Sequence, residues 1–215
     1  MASWMVHLRV ADQMLDRLAD IDPAAFVMGN IAPDSGVPNA DWTEFHPPKS
    51  LSHFKTDRST DPEAFCVQYF SAEKKKRYGK REYSFFLGYY VHLLTDVEWV
   101  KLIFRPLIEA HPDKAAKDRN RLIQAAKEDW YDLDFLYLEQ HPDFRAFSIY
   151  EHTVDFDNVF MDMFSADAFE NRRQYICGFY RSDEHGDLHR DYAWLTPEQA
   201  EVFVEKTVEK LLKVI

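Results

Sequence analysis

Phe85-Phe86-Leu87-Gly88-Tyr89-Tyr90-Val91-His92-Leu93-Leu94-Thr95-Asp96 is the stretch on which the reading of this chain turns. Its periodicity predicts a helix from about Tyr83 to Phe104, on which His92 and Asp96, four residues apart, share a face. The same face continues through Phe85, Gly88, Trp99 and Ile103, so an ionisable pair sits inside an apolar stripe. Burying that pair without partners costs several kcal/mol. Taken alone, it reads either as a His–Asp hydrogen bond locking two helices or as part of a metal site. Gly88, one turn before His92, leaves room for another helix, backbone or ion.

Helical periodicity extends outward from there. Trp4, His7, Leu8, Ala11, Leu15 and Leu18 recur at three- and four-residue steps and place His7 on a second apolar face. Asp22-Pro23 and Asp61-Pro62 each read as an N-cap followed by a first helical proline, opening helices towards Met28 and Lys75. Between them, roughly Asn30 to Thr60 reads as a long proline-rich loop carrying Asp34, His46 and His53, and such loops are uncommon unless they bind something. The basic run Lys74–Arg77 reads as a solvated helix end. Three or four further helices are expected between Lys114 and Tyr180. Thr196-Pro197-Glu198-Gln199 opens the last one, with Ala200, Phe203, Val204, Val208, Leu211 and Ile215 on its buried side. No alternating run asks for a sheet, so the fold class is all-α, with residues 1–215 as one helical metal-binding domain.

Composition narrows the function. A hydrophobic fraction of 46% with 15% aromatics describes a packed globule rather than a disordered chain. A formal charge of −11 repels long nucleic acids, while leaving open a small phosphate ester gripped by metal ions. Cys66 and Cys177 read as small core residues outside any disulfide scaffold. The opening residues read as neither signal peptide nor anchor, and no apolar run reaches the roughly 20 residues of a spanning helix. The expectation is a soluble cytoplasmic protein.

His7, Asp34, His53, His92 and Asp96 together make a possible nitrogen and oxygen ligand set, suited to zinc and also to manganese, iron or nickel. Their order is a first-helix histidine, an Ala-Pro-Asp loop, a His-Phe, then Leu-Gly-Tyr-x-x-His-x-x-x-Asp. In that order, from Val6 to Trp99, the chain resembles the zinc-dependent phospholipase C family, which is related to zinc nucleases of single strands. The resemblance implies a helical hydrolase of phosphodiesters. It places Asp34, His53, His92 and Asp96 around one ion, has Asp96 bridge to a second ion bound by His7, and makes Asp34 the catalytic residue that orients or deprotonates water. Three departures stand out. Secreted members of the family use a processed N-terminal amino group as a ligand for the ion on the first-helix histidine, whereas here Met1 or Ala2 stands only a few residues before His7. The chain contains no His-x-x-x-Glu, the pattern with which the family holds a further ion, and it shows no secretion signal. One or two ions are therefore expected, and a substrate other than bulk phospholipid.

Other residues are weaker candidates. His185 and His189 read as an exposed loop and Asp57 as surface, while His46, His111, His141 and His152 carry no clear signal. Asp129, Asp132 and Asp134, interleaved with aromatics, read as helix caps or as cleft walls. Three functions follow: a phosphodiester hydrolase using a metal-activated water, a relative retaining only a structural or binding metal, or a metal-free helical interaction protein. The first implies a small phosphate-ester substrate, soluble or at a membrane surface; the oligomeric state is not legible.

Overall fold

A computed structural model describes residues 1–41, 43–57 and 59–215. Trp42 and Arg58, both inside the 30–60 segment, lie outside the described residues. The chain is all-α, and several of its helices begin where short polar side chains satisfy free backbone N–H groups. Ser3 caps α1 (Trp4–Leu15), Asp22 caps α2 (Pro23–Ile31), and a Thr196/Gln199 capping box opens α11 (Pro197–Leu211).

The 30–60 segment carries more structure than its prolines suggest. A 3-10 turn (Ala32–Asp34) follows α2 directly. Two antiparallel strand pairs, β1 (Val37–Pro38) with β2 (Phe45–His46) and β3 (Lys55–Thr56) with β4 (Ser59–Thr60), flank the one-turn α3 (Lys49–Ser52). Hydrogen bonds over two-residue spans leave no mark in hydropathy, so the sequence reads as loop.

The single helix expected from Pro62 to Lys75 is two: α4 (Pro62–Tyr69) and α5 (Ala72–Lys75). Phe70 turns into the core between them and Ser71 caps the second. α6 (Lys80–Trp99) passes into a π turn (Val100–Phe104) and then α7 (Arg105–Ala110). α8 (Pro112–Gln140) is broken at Asp118 (φ −160°, ψ 91°), whose carboxylate caps the continuing helix at Arg121 N, 3.0 Å away. α9 (Arg145–His152) and α10 (Ala168–Tyr180) complete the set. Ile215, expected on the buried side of the last helix, lies beyond its end and is exposed, whereas Ala200, Phe203, Val204, Val208 and Leu211 are buried. Cys66 and Cys177 are free thiols. No helix among the described residues is long and apolar enough to cross a membrane.

The core forms around α1, α2 and α6. α1 is buried nearly all round, as a central helix must be. α2 and α6 meet backbone to backbone: a Cβ on Gly88 would lie 2.1 Å from the Phe26 carbonyl oxygen, and one on Gly29 would lie 2.0 Å from that of Phe85. Gly88 thus makes room for a helix. Because that contact is with backbone, no rotamer change relieves it. Gly88→Ala is expected to cost about 3 kcal/mol, lowering the melting temperature by roughly 6–12 °C. Gly178→Ala, where an added Cβ meets nothing within 4 Å on the exposed face of α10, should stabilise by about 0.5–1 kcal/mol. Calorimetric melting of both variants checks the pair, and equal effects would contradict the close crossing.

Candidate metal centre

The α2–α6 crossing sets the first ligand. With the backbones in contact, the Asn30 carbonyl at the end of α2 lies 2.7 Å from His92 Nδ1. A carbonyl only accepts, so Nδ1 carries the proton, and the Nε2 lone pair of the neutral ring is turned inward. One turn along α6, Asp96 receives a hydrogen bond from the Ala2 N–H to its Oδ1 at 2.9 Å. His7 arrives from α1 with its ring stacked on His92, centroids 3.7 Å apart and planes within 6°.

His53 follows α3, whose exit is turned by Phe54 in the left-handed region at φ 49°, rare for an aromatic residue. The turn is held from both sides. The Tyr89 hydroxyl donates to the Ser52 carbonyl, and the Phe54 ring packs edge-on against Phe65, Tyr69 and Tyr89. Ser52 Oγ lies 3.0 Å from His53 Nδ1, leaving Nε2 to face the cluster. Asp34, at the end of the 3-10 turn, completes it.

These five side chains, separated by up to 89 positions in sequence, converge on one point. His53 Nε2 lies 3.3 Å from His92 Nε2, 3.5 Å from Asp34 Oδ1 and 3.7 Å from Asp96 Oδ2. His7 Nε2 is 3.6 Å from Asp96 Oδ1, and His92 Nε2 is 3.9 Å from Asp96 Oδ2. Two overlapping ligand groups result: His7, His92 and Asp96, and Asp34, His53 and His92. His92 belongs to both, but its free nitrogen can hold only one cation. Asp96 turns one oxygen to each side, so it is the residue able to serve two.

The electrostatics favour ionised carboxylates beside a neutral His92 ring. Burial alone would raise Asp34, yet Lys49, His53 and His92 hold its carboxyl well below the ordinary range. Burial likewise opposes ionisation of Asp96, and the amino terminus, His7 and His92 overcome it. Burial first, then the charge of His7, push His92 well down, so its ring stays neutral and able to bind a cation.

The donor set is left unsatisfied by protein alone. Neither His7 nitrogen has a hydrogen-bond partner, nor does Asp96 Oδ2, although these residues are at most 1% exposed. An unpaired buried polar group costs about 1–3 kcal/mol, and here His7 and Asp96 leave three such atoms among the described residues. A divalent cation fits this arrangement: imidazole nitrogens and carboxylate oxygens without thiolate.

The cluster lies at the side of a cleft of about 1610 Å³, formed by the N-terminal residues, the 41–55 segment, α8, α10 and the loop after α10. Of the five residues, Asp34 is the one that lines this cleft, beside Lys49, whose Nζ is 3.4 Å from Asp34 Oδ1.

The remaining candidates lie elsewhere. His185 and His189 are on the exposed loop, and His189 Nε2 sits 3.2 Å from Glu139. Asp57, His46, His141 and His152 are exposed, and the His111 ring packs on Trp194. The helix-cap reading of Asp129, Asp132 and Asp134 is corrected, since all three are buried within α8. Asp129 and Asp132 hold the loop after α10. Arg190 bonds to both, at 2.7 and 2.8 Å, and the Trp194 and Gly186 N–H groups donate to them at 2.6 and 3.0 Å. Asp134 accepts from Ser3 Oγ at 2.8 Å and Tyr180 Oη at 2.7 Å, fixing the residue that caps α1 next to the Ala2–Asp96 bond. Sequence offers no sign of this anchor or of the Asn30 carbonyl, because neither contact is local.

The comparisons bear on the same stretch. Residues 6–111 match the family model described as zinc dependent phospholipase C, a span holding all five cluster residues. Neither the curated proteins nor the solved structures compared with the chain give a match.

Burial raises the Asp134 carboxyl to about 7 against the hydrogen bonds from Tyr180 and Ser3. An unfolded Asp ionises near 4, so between about pH 4 and 7 the folded state binds the extra proton. Stability therefore falls as pH rises through that window and levels off above it. Asp134→Asn should remove this slope, its melting temperature gaining on the parent's from pH 4 to 7. A difference independent of pH would contradict the assignment.

Proposed function

We propose that this chain, which belongs through residues 6–111 to the zinc-dependent phospholipase C family, is a metal-dependent hydrolase of phosphodiesters. The observation that carries the reading is the convergence of five buried ligand-type side chains at a cleft which one of them, Asp34, also lines. His53, His92, Asp34 and Asp96 would hold one cation, and Asp96 would share a second with His7. Zinc is the family's metal, and manganese, iron or nickel suit the same donors. Cations held there would lower the pKa of water and take up the charge of a phosphate.

Asp34 is assigned the catalytic role. Its carboxylate stays ionised at neutral pH and faces the cleft, so it can accept a hydrogen bond from an attacking water and hold that water in line with phosphorus. The stacked His7 and His92 rings, the Asn30 carbonyl and the Tyr89–Ser52 bond keep the ligands fixed before substrate arrives. Substrates would be small and soluble or presented at a membrane surface, the acidic exterior disfavouring long nucleic acids. The acting compartment is taken to be the cytoplasm.

Two observations favour a second reading. All five cluster residues are at most 5% exposed, as a structural site would have them, and the chain lacks His-x-x-x-Glu. In that reading the cation stabilises the fold or binds a ligand without turnover.

The two separate on bis(4-nitrophenyl) phosphate. The hydrolase releases nitrophenol in a chelator-sensitive way, and Asp34→Asn lowers the rate by about 10²–10⁴-fold. A fully metallated protein that melts lower on chelation, yet stays inert towards a broad phosphodiester panel, leaves the structural metal standing and removes the hydrolase.

A further inference from the structure

We propose that Lys49 and Lys127 form an anion subsite beside the metal centre, selecting phosphodiesters whose headgroup carries a second negative charge. This rests on the hydrolase reading and narrows its substrate. The protein is strongly acidic, yet α3 and α8 bring two ammonium groups to the same cleft. Lys49 stands at Asp34 and reaches over the Phe45 ring, 4.6 Å from its centroid. Lys127 lies one turn before Tyr131 on α8, and both line the cleft. Asp34 raises the Tyr131 phenol, after burial and Asp134, and Lys49 lowers the Lys127 ammonium, after burial. Two like charges thus share one wall.

Lys127 is half-buried and, among the described residues, has no carboxylate partner. Of the cleft's other charges, Glu128 is exposed, Lys55 is half-buried, and several more are engaged. Asp129 and Asp132 are held by Arg190, Asp41 binds the Thr43 hydroxyl at 2.6 Å, and Arg172 donates to the Gly36 carbonyl at 2.6 Å. Asp183, Glu184 and Asp187 belong to the exposed loop after α10. With Asp34 committed to a cation, Lys49 also becomes surplus positive charge. The single charge of a diester is met by the cations, so the lysines are left for a further carboxylate or phosphate. Half-burying an uncompensated ammonium is costly, and an anion relieves the cost.

Glycerophosphoethanolamine and glycerophosphoserine differ by one carboxylate and serve as probes, titrated calorimetrically into the zinc-loaded full chain. Glycerophosphoserine should bind about tenfold tighter, the ratio shrinking at 0.5 M salt. Lys127→Met should bring the ratio near one, while Lys127→Arg keeps it, which separates lost charge from lost fold. Equal affinities, no saturable binding of the serine diester, or a preference surviving Lys127→Met would overturn the subsite. Discrimination without turnover would remove the hydrolase and keep the subsite. Turnover of both diesters at equal efficiency would do the reverse.

Discussion

The contact between the backbones of α2 and α6 is the constraint on which the rest depends. Gly29 and Gly88 remove the side chains that would hold the helices apart, and the approach puts the Asn30 carbonyl on His92. That hydrogen bond fixes the His92 tautomer and turns Nε2 towards Asp34, His53 and Asp96. Immediately after α2, the 3-10 turn delivers Asp34, so one crossing places one ligand and aims another. A Cβ at either glycine would separate the helices and pull the carbonyl from the ring.

The other ligands are held by tethers of different origin. His53 depends on a left-handed turn at Phe54 braced by an aromatic cluster, and on the Tyr89 hydroxyl at Ser52. His7 and Asp96 depend on the start of the chain, where Asp134 and Tyr180 grip Ser3 and the Ala2 N–H reaches Asp96. Each tether is a buried hydrogen bond or packed ring, so the ligand-type atoms are brought together before any cation binds. The atoms left without partners, both nitrogens of His7 and one oxygen of Asp96, are the polar cost of that arrangement.

What was legible in the sequence follows from the range of the interactions involved. The i, i+4 spacing of His92 and Asp96, the apolar face carrying His7 and the Asp-Pro caps are local, so periodicity reveals them. Gly88 is legible as a close approach, although its partner is not. Asp34 and His53 stand out because histidine and aspartate in a proline-rich segment invite attention, but their convergence on α6 is a matter of tertiary packing. Local pattern misleads where tertiary contacts decide. Phe70 turns into the core and splits one expected helix in two, the last helix stops at Leu211 and leaves Ile215 exposed, and Asp129 and Asp132 pair with Arg190 about 60 residues away instead of capping a helix. The Asn30 carbonyl and the Ser3–Asp134 anchor have no sequence signature, since a backbone acceptor has no residue identity and the anchor spans 131 positions.

Everything proposed of the site requires that the cluster hold a cation. Metal content per chain, measured by plasma mass spectrometry on untagged protein purified without chelator and on His92→Ala alongside, tests this most directly. One or two equivalents of transition metal, zinc foremost, with a clear loss in His92→Ala, is the predicted result. No stoichiometric metal even after its addition would contradict it, leaving His7, His53 and His92 as a buried polar core and removing the catalytic reading with them.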